Sequence, residues 1–220
     1  MLDHLTYLLG LFEARDWTAV ETFVRSNPEM YCCISNRICE YEEFNGMTLL
    51  HACVRFDPPT SVLLKVIHLH PEALRKEDCI GRTPLHVAAG SGASFFVMKV
   101  LTAMYPGACA IQDEGGRTPL HIACDSSCEL FEGECSSRGP PSLDTVLVLL
   151  AGSLDAATLE DAEEMNAVEH AILSNAPIDV VVTLQKAMRR AMEMKKSKMV
   201  SSPRSSPGST VMSNIQELKI

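Results

Sequence analysis

The sequence predicts an all-α fold, a solenoid of about five stacked helix pairs, with a disordered C-terminal tail. Three observations carry this prediction. An eight-residue pattern recurs at a 35-residue period, which sets Thr48, Thr83 and Thr118 in register, and with them His51, His86 and His121. Apolar residues at helical spacing follow each copy, in stretches too short to bury their own faces without a neighbour. The composition agrees: 46% of residues are hydrophobic, mostly aliphatic, with one Trp and 7 Phe. Thin layers of packed helices suit that mix, and a wholly disordered chain would carry fewer apolar side chains.

Each position of the pattern has a local reason. Gly46, Gly81 and Gly116 permit a tight turn before a helix. The hydroxyls of Thr48, Thr83 and Thr118 can cap the orphan N–H groups of a helix start. Pro84 and Pro119 then occupy the first helical position, where a missing N–H costs nothing; Leu49 stands there in the earlier copy. Leu50, Leu85 and Leu120 begin the buried stripe, while Ala88, Ala89 and Ala123 let neighbouring helices come close. A second helix follows in each unit, with Val62, Leu63, Val66 and Ile67 on its inner face, and Phe96, Val97, Val100 and Leu101 in the next unit. Pro71 and Pro106, again 35 residues apart, end that helix in a recurring turn.

Taken in order, a repeat domain covers 1–190, with units at about 1–43, 44–78, 79–113, 114–160 and 161–190. The first unit lacks the signature; helices are expected over 5–14 and 17–26, with Asp16 capping the second. In the last unit Asn166 takes the threonine's place, and Pro177, Val180, Val181 and Leu184 match Pro59, Val62, Leu63 and Val66. Terminal repeats are expected to be atypical, because one face meets solvent. Two insertions break the period. One, around 31–43, lengthens the first connection. The other, 126–141, parts the two helices of the fourth unit and moves Asn166 to 48 residues after Thr118. It is polar and rich in Ser, Gly and Pro, so it reads as a surface loop, and such loops often line a binding face. An ornament without a role is the plainer alternative.

The pattern Gly-x-Thr-Pro-Leu-His-x-Ala, near-complete at 81–101 and 116–123 and weaker at 46–67, resembles the ankyrin repeat. The resemblance implies L-shaped units, antiparallel helix pairs joined by projecting turns, and a concave surface that binds proteins. The period is 35 residues where the family's usual repeat is about 33. By analogy the contacts come from the turns before each first helix, at Asp78, Ile80, Arg82, Glu114, Gly115 and Arg117, all expected to be exposed. The expected function is a non-enzymatic interaction module or scaffold for one or more proteins, working as a monomer without cofactors. A regulatory or adaptor subunit acting through its basic tail is the alternative.

Residues that could carry chemistry are few. His51, His86 and His121 would line up about 10 Å apart, the usual spacing of packed helices, too far for a shared zinc with ligands at roughly 2.0–2.3 Å. A bridging role between adjacent turns accounts for their positions. His68 and His70 do not share a helical face, and His4 and His170 have no evident partners. Cys124, Cys128 and Cys135 resemble part of a zinc cluster, but a fourth ligand is missing. A redox-responsive Cys128–Cys135 pair is the other reading of a Cys-centred module. No phosphate loop, dinucleotide fingerprint, zinc-protease helix or nucleophile elbow occurs. The expectation is no catalytic residue and no metal.

Charge separates body from tail. Residues 1–185 hold 11 Lys/Arg against 26 Asp/Glu, a net of -15, whereas 186–220 hold 8 against 2, a net of +6. So acidic a body is not expected to bind nucleic acid. The 9 cysteines are odd in number and irregularly spaced, and the first residues do not read as a secretion signal. No apolar run reaches the roughly 18 to 20 residues that cross a bilayer. An intracellular setting, cytoplasmic or nuclear, is therefore expected. The tail, 191–220, is basic and then Ser/Pro-rich. Arg189, Arg190, Lys195, Lys196 and Lys198, interleaved with methionines, suit a helix cap, a partner's acidic groove or an import patch. Ser202 and Ser206, each before a proline, are candidate phosphorylation sites.

Overall fold

The computed structural model describes residues 2–38, 44–128, 130 and 139–201, with backbone alone for 198–201. Eleven helices appear among these residues. They are α1 (Leu2–Glu13), α2 (Trp17–Ser26), α3 (Pro28–Arg37), α4 (Leu49–Arg55), α5 (Thr60–Leu69), α6 (Pro84–Gly90), α7 (Phe95–Met104), α8 (Pro119–Cys124), α9 (Leu143–Gly152), α10 (Ala167–Leu173) and α11 (Ile178–Ser201). Among the described residues there is no β-strand, only an isolated bridge between Glu160 and Asn166.

The helices form two layers. The first helix of each unit packs on the next first helix, α1 on α4, then α6, α8 and α10. The second helices, α2, α5, α7, α9 and α11, stack in the same order. Each inner helix has at most seven residues from α4 onward, too short to persist alone, so its stability comes from burial between neighbours. Every residue of α6 is buried, and Leu50, Leu85 and Leu120 sit at equivalent depths.

The prolines that close the second helices open short 3₁₀ turns, Pro71–Arg75 and Pro106–Ala110; Leu154–Thr158 repeats the device without proline. In the first unit the same position is Pro28, and there the turn has grown into the ten-residue helix α3. The sequence reading placed an insertion over 31–43; its first part is helix, because Tyr31 and Ile34 find the core. The inner face of α7 also differs from expectation. Val97, Met98, Leu101 and Thr102 are buried, in register with Val62, Leu63, Val66 and Ile67, whereas Phe96 is exposed and Val100 half-buried.

The ends are capped differently. Asp16 accepts from the Ala19 amide at 3.0 Å and starts α2. At the other end α11 buries Val180, Leu184, Ala187 and Ala191, then continues through Ser201 beyond the last packed residue.

Candidate partner-binding surface

The surface is built from the turns that precede the inner helices. In each signature the threonine and histidine form a reciprocal cap. The backbone N–H of Thr48, Thr83 and Thr118 donates to Nδ1 of His51, His86 and His121 at 3.0–3.1 Å. The opposite ring nitrogen reaches the next unit, at the carbonyls of Arg82 (2.9 Å), Arg117 (3.1 Å) and Leu159 (3.1 Å). A carbonyl only accepts, so Nε2 carries the proton and Nδ1 is the acceptor. Burial drives the pKa of His51 and His86 down to about 4, against the pull of those carbonyls. His121 is lowered too, first by burial and then by the neighbouring His170 ring. These imidazoles are neutral bridges between units.

The turn tips are joined by a second set of bonds. Gly46, Gly81 and Gly116 have φ of 74°, 78° and 71°, and Glu164 fills their place in the last unit at 62°. A Cβ on Gly116 would lie 2.9 Å from the Ala162 amide nitrogen, so the tips approach closely. Cys79 donates its amide to the Asn45 carbonyl (2.7 Å), Glu114 to Ile80 (3.0 Å) and Ala162 to Gly115 (2.9 Å). Four successive tips thus form one hydrogen-bonded edge.

An aspartate steadies each of the last three tips from inside. Asp78 accepts the Ile80 and Arg82 amides and pairs with the Arg82 guanidinium at 2.8 Å. Asp113 does the same for Arg117, at 3.1 Å. In the last unit Asp161 accepts the Glu163 and Met165 amides, and His170 replaces arginine at 2.7 Å. Burial raises the Asp161 pKa, but the His170 bond and the two amides outweigh it and hold the carboxyl below its usual range. The expected exposure of Asp78 and Arg82 is therefore corrected: both are buried, Arg82 to 6%, because each neutralises the other inside the tip. His170, which had no evident partner, has Asp161 and an edge contact with the His121 ring. The recurrence of Asp four residues before Arg at the 35-residue period was the available signal. Ile80, Gly115 and Arg117 are half-exposed and Glu114 exposed, so these remain at the outer rim.

The described residues at the start of the insertion, 126–128 and 130, come back over this face. Arg82 donates to the Leu130 carbonyl at 2.6 Å, and Arg117 to the Cys128 sulfur at 3.4 Å. The Leu130 side chain is buried in the space a Cβ on Gly90 would need. Two clefts flank it. One, of about 440 Å³, lies between the ends of α6 and α8 and residues 139–142. The other, of about 420 Å³, lies between Arg117, Ser126, Ala162 and Leu173.

The remaining candidates separate from this surface. No described cysteine is in a disulfide; Cys124 is buried and its pKa is pushed up to about 12, first by burial and then by Asp125. Among the described residues no group of three or more His, Cys, Asp or Glu side chains is placed to hold a metal. Cys135, Ser202 and Ser206 lie outside the described residues, as does the side chain of Lys198. Arg189, Arg190, Lys195 and Lys196 are exposed on α11, with Lys195 donating to the Thr158 hydroxyl at 2.6 Å. No helix among the described residues is long and apolar enough to cross a membrane.

No curated protein matches the chain. A family model described as ankyrin repeats (3 copies) matches residues 50–132, which contain α6 to α8 and their turns. Such repeats are protein-interaction modules, in a family that is typically non-enzymatic. The shared cap, the bridging histidines and that match fall on the same residues, and they make residues 50–132 a run of ankyrin repeats.

Proposed function

We propose that this chain is a non-enzymatic scaffold that captures a partner protein across its turn tips and inner-helix face. The observation that carries this reading is the hydrogen-bonded edge from Asn45 to Ala162. A surface ordered before binding loses less conformational entropy on association. Ile80, Glu114, Gly115 and Arg117 make the contacts, while Asp78 and Arg82 hold the tips in shape. The described ends of the insertion, 126–128 and 139–141, add a wall, and the clefts beside them receive partner side chains. The protein works as a monomer inside the cell, in cytoplasm or nucleus, a setting that suits described cysteines outside any disulfide.

A second reading, that of an adaptor acting through its tail, is favoured by the run of helix beyond Ala191, where Met192 and Met194 are exposed among basic residues. Affinity purification from cells distinguishes the two. The full chain, a Glu114→Arg variant and a chain ending at Arg190 are compared by quantitative mass spectrometry. The scaffold reading expects the main partner to be lost with Glu114→Arg and kept on truncation. Loss on truncation alone would move the function to the tail.

A further inference from the structure

On the opposite side of the stack the second helices leave a groove of about 970 Å³ between α2, α5 and the end of α7. Val24 and Ile67 form its buried floor, and Leu64, Leu69, Pro71 and Met104 line its walls. Leu64 and Met104 are 45% and 51% exposed. The repeat does not require this surface to be apolar. One unit on, the position of Leu64 belongs to Lys99, whose ammonium lies 5.6 Å from the centre of the Phe95 ring.

The groove's charge is opposite to that of its surroundings. Arg25, Lys65 and His68 line it and no carboxylate does, although residues 1–185 carry a net of -15, from 11 Lys/Arg and 26 Asp/Glu. Lys65 pairs with Glu21 of α2, which leaves Arg25, one helical turn from Glu21 and attracted by it, as the positive edge.

We propose that this groove binds an amphipathic helix of a partner protein, one whose apolar i, i+3/i+4, i+7 stripe is flanked by Asp or Glu. Leu64 and Met104 grip the stripe, and Arg25 selects the acidic flank. The volume lies in the range of clefts that enclose a drug-sized ligand, roughly 300–1,000 Å³, room for several side chains of one helix face. The chain's own C-terminal segment has the wrong sign, since 186–220 hold 8 basic residues against 2 acidic. This site is separate from the turn tips, and a partner could occupy both.

The test uses the full chain and a fluorescein-labelled designed helix of about 18 residues, with leucines along one stripe and glutamates beside it. A second peptide carries lysines instead. Fluorescence anisotropy should show the acidic helix binding at least about tenfold tighter than the basic one. Leu64→Glu and Met104→Glu should each weaken it at least about tenfold, and Arg25→Glu should erase the preference for acid. Circular dichroism and melting curves check that each variant is folded; both wall residues are exposed, so two independent variants are at hand. Glu114→Arg should leave the affinity unchanged. Three results would overturn the proposal: no binding of the acidic helix, equal binding of both peptides, or indifference to both wall variants. A dimer seen by sedimentation and dissolved by Leu64→Glu would also overturn it, by assigning the groove to a second copy.

Discussion

His86 performs two tasks that a substitution can separate. Its Nδ1 completes the helix cap at Thr83 and its Nε2 donates to the Arg117 carbonyl in the next unit. A glutamine in the same place could keep the cap, as Glu169 does naturally for Asn166 in the last unit. It would leave the Arg117 carbonyl short of a donor. His86→Gln is therefore expected to cost about 1–3 kcal/mol, measured by urea unfolding at neutral pH. Thr118→Ala removes the hydroxyl that accepts from the His121 amide, and should cost about 1–2 kcal/mol in the same assay. These roles were legible in the sequence because they are local, with three residues separating cap from partner. The burial of Asp78 and Arg82 was not. Their pairing is local, yet Arg82 is also covered by Leu130, 48 residues away, and nothing in a turn motif announces that contact.

At the scale of elements, the last unit shows what the signature glycine does. Glu164 holds φ at 62°, where glycine stands in the three preceding turns. A side chain in that region carries a steric penalty that exceeds the entropy cost of glycine. Glu164→Gly is expected to raise stability by about 0.5–1 kcal/mol, read as a higher urea midpoint with an unchanged slope. The insertion offers a second prediction. A methyl group at Gly90 would occupy the space of the Leu130 side chain. Gly90→Ala should therefore loosen 126–141 without unfolding the stack. Limited proteolysis should cut that segment several-fold faster while the melting temperature changes little. Helices α4 to α9 could be read because each follows a cap or a clear apolar stripe. Helix α3 could not, since Pro28 matches the turn-opening Pro71 and Pro106 and only a short apolar stripe follows; its place is set by core contacts of Tyr31 and Ile34. The face of α7 was misjudged by one position because Phe96 is apolar, while the true fourth member of its stripe is Thr102.

For the whole molecule, the three bridging histidines make stability a function of pH. Their folded pKa values lie below the ordinary 6.5, near 4 for His51 and His86. Between those values the unfolded chain binds more protons than the folded one. Stability is thus complete above about pH 6.5 and declines as the pH falls toward 4. Urea midpoints across that window should drop steadily, and His86→Gln should make the drop shallower by one proton's share. A profile flat from pH 7 to 4 would contradict the assignment of these rings as buried and neutral. The order of the tips carries one further implication. Bonded neighbours lie 34 residues apart between Asn45 and Cys79 and between Ile80 and Glu114, but 47 apart between Gly115 and Ala162. The rise from one unit to the next is thus dictated by contact across the stack and is independent of how much chain is spent in getting there. Residues 126–141 are accordingly a place where length can drift freely, so the protein could acquire or exchange a recognition loop there while the architecture beneath it stays constant.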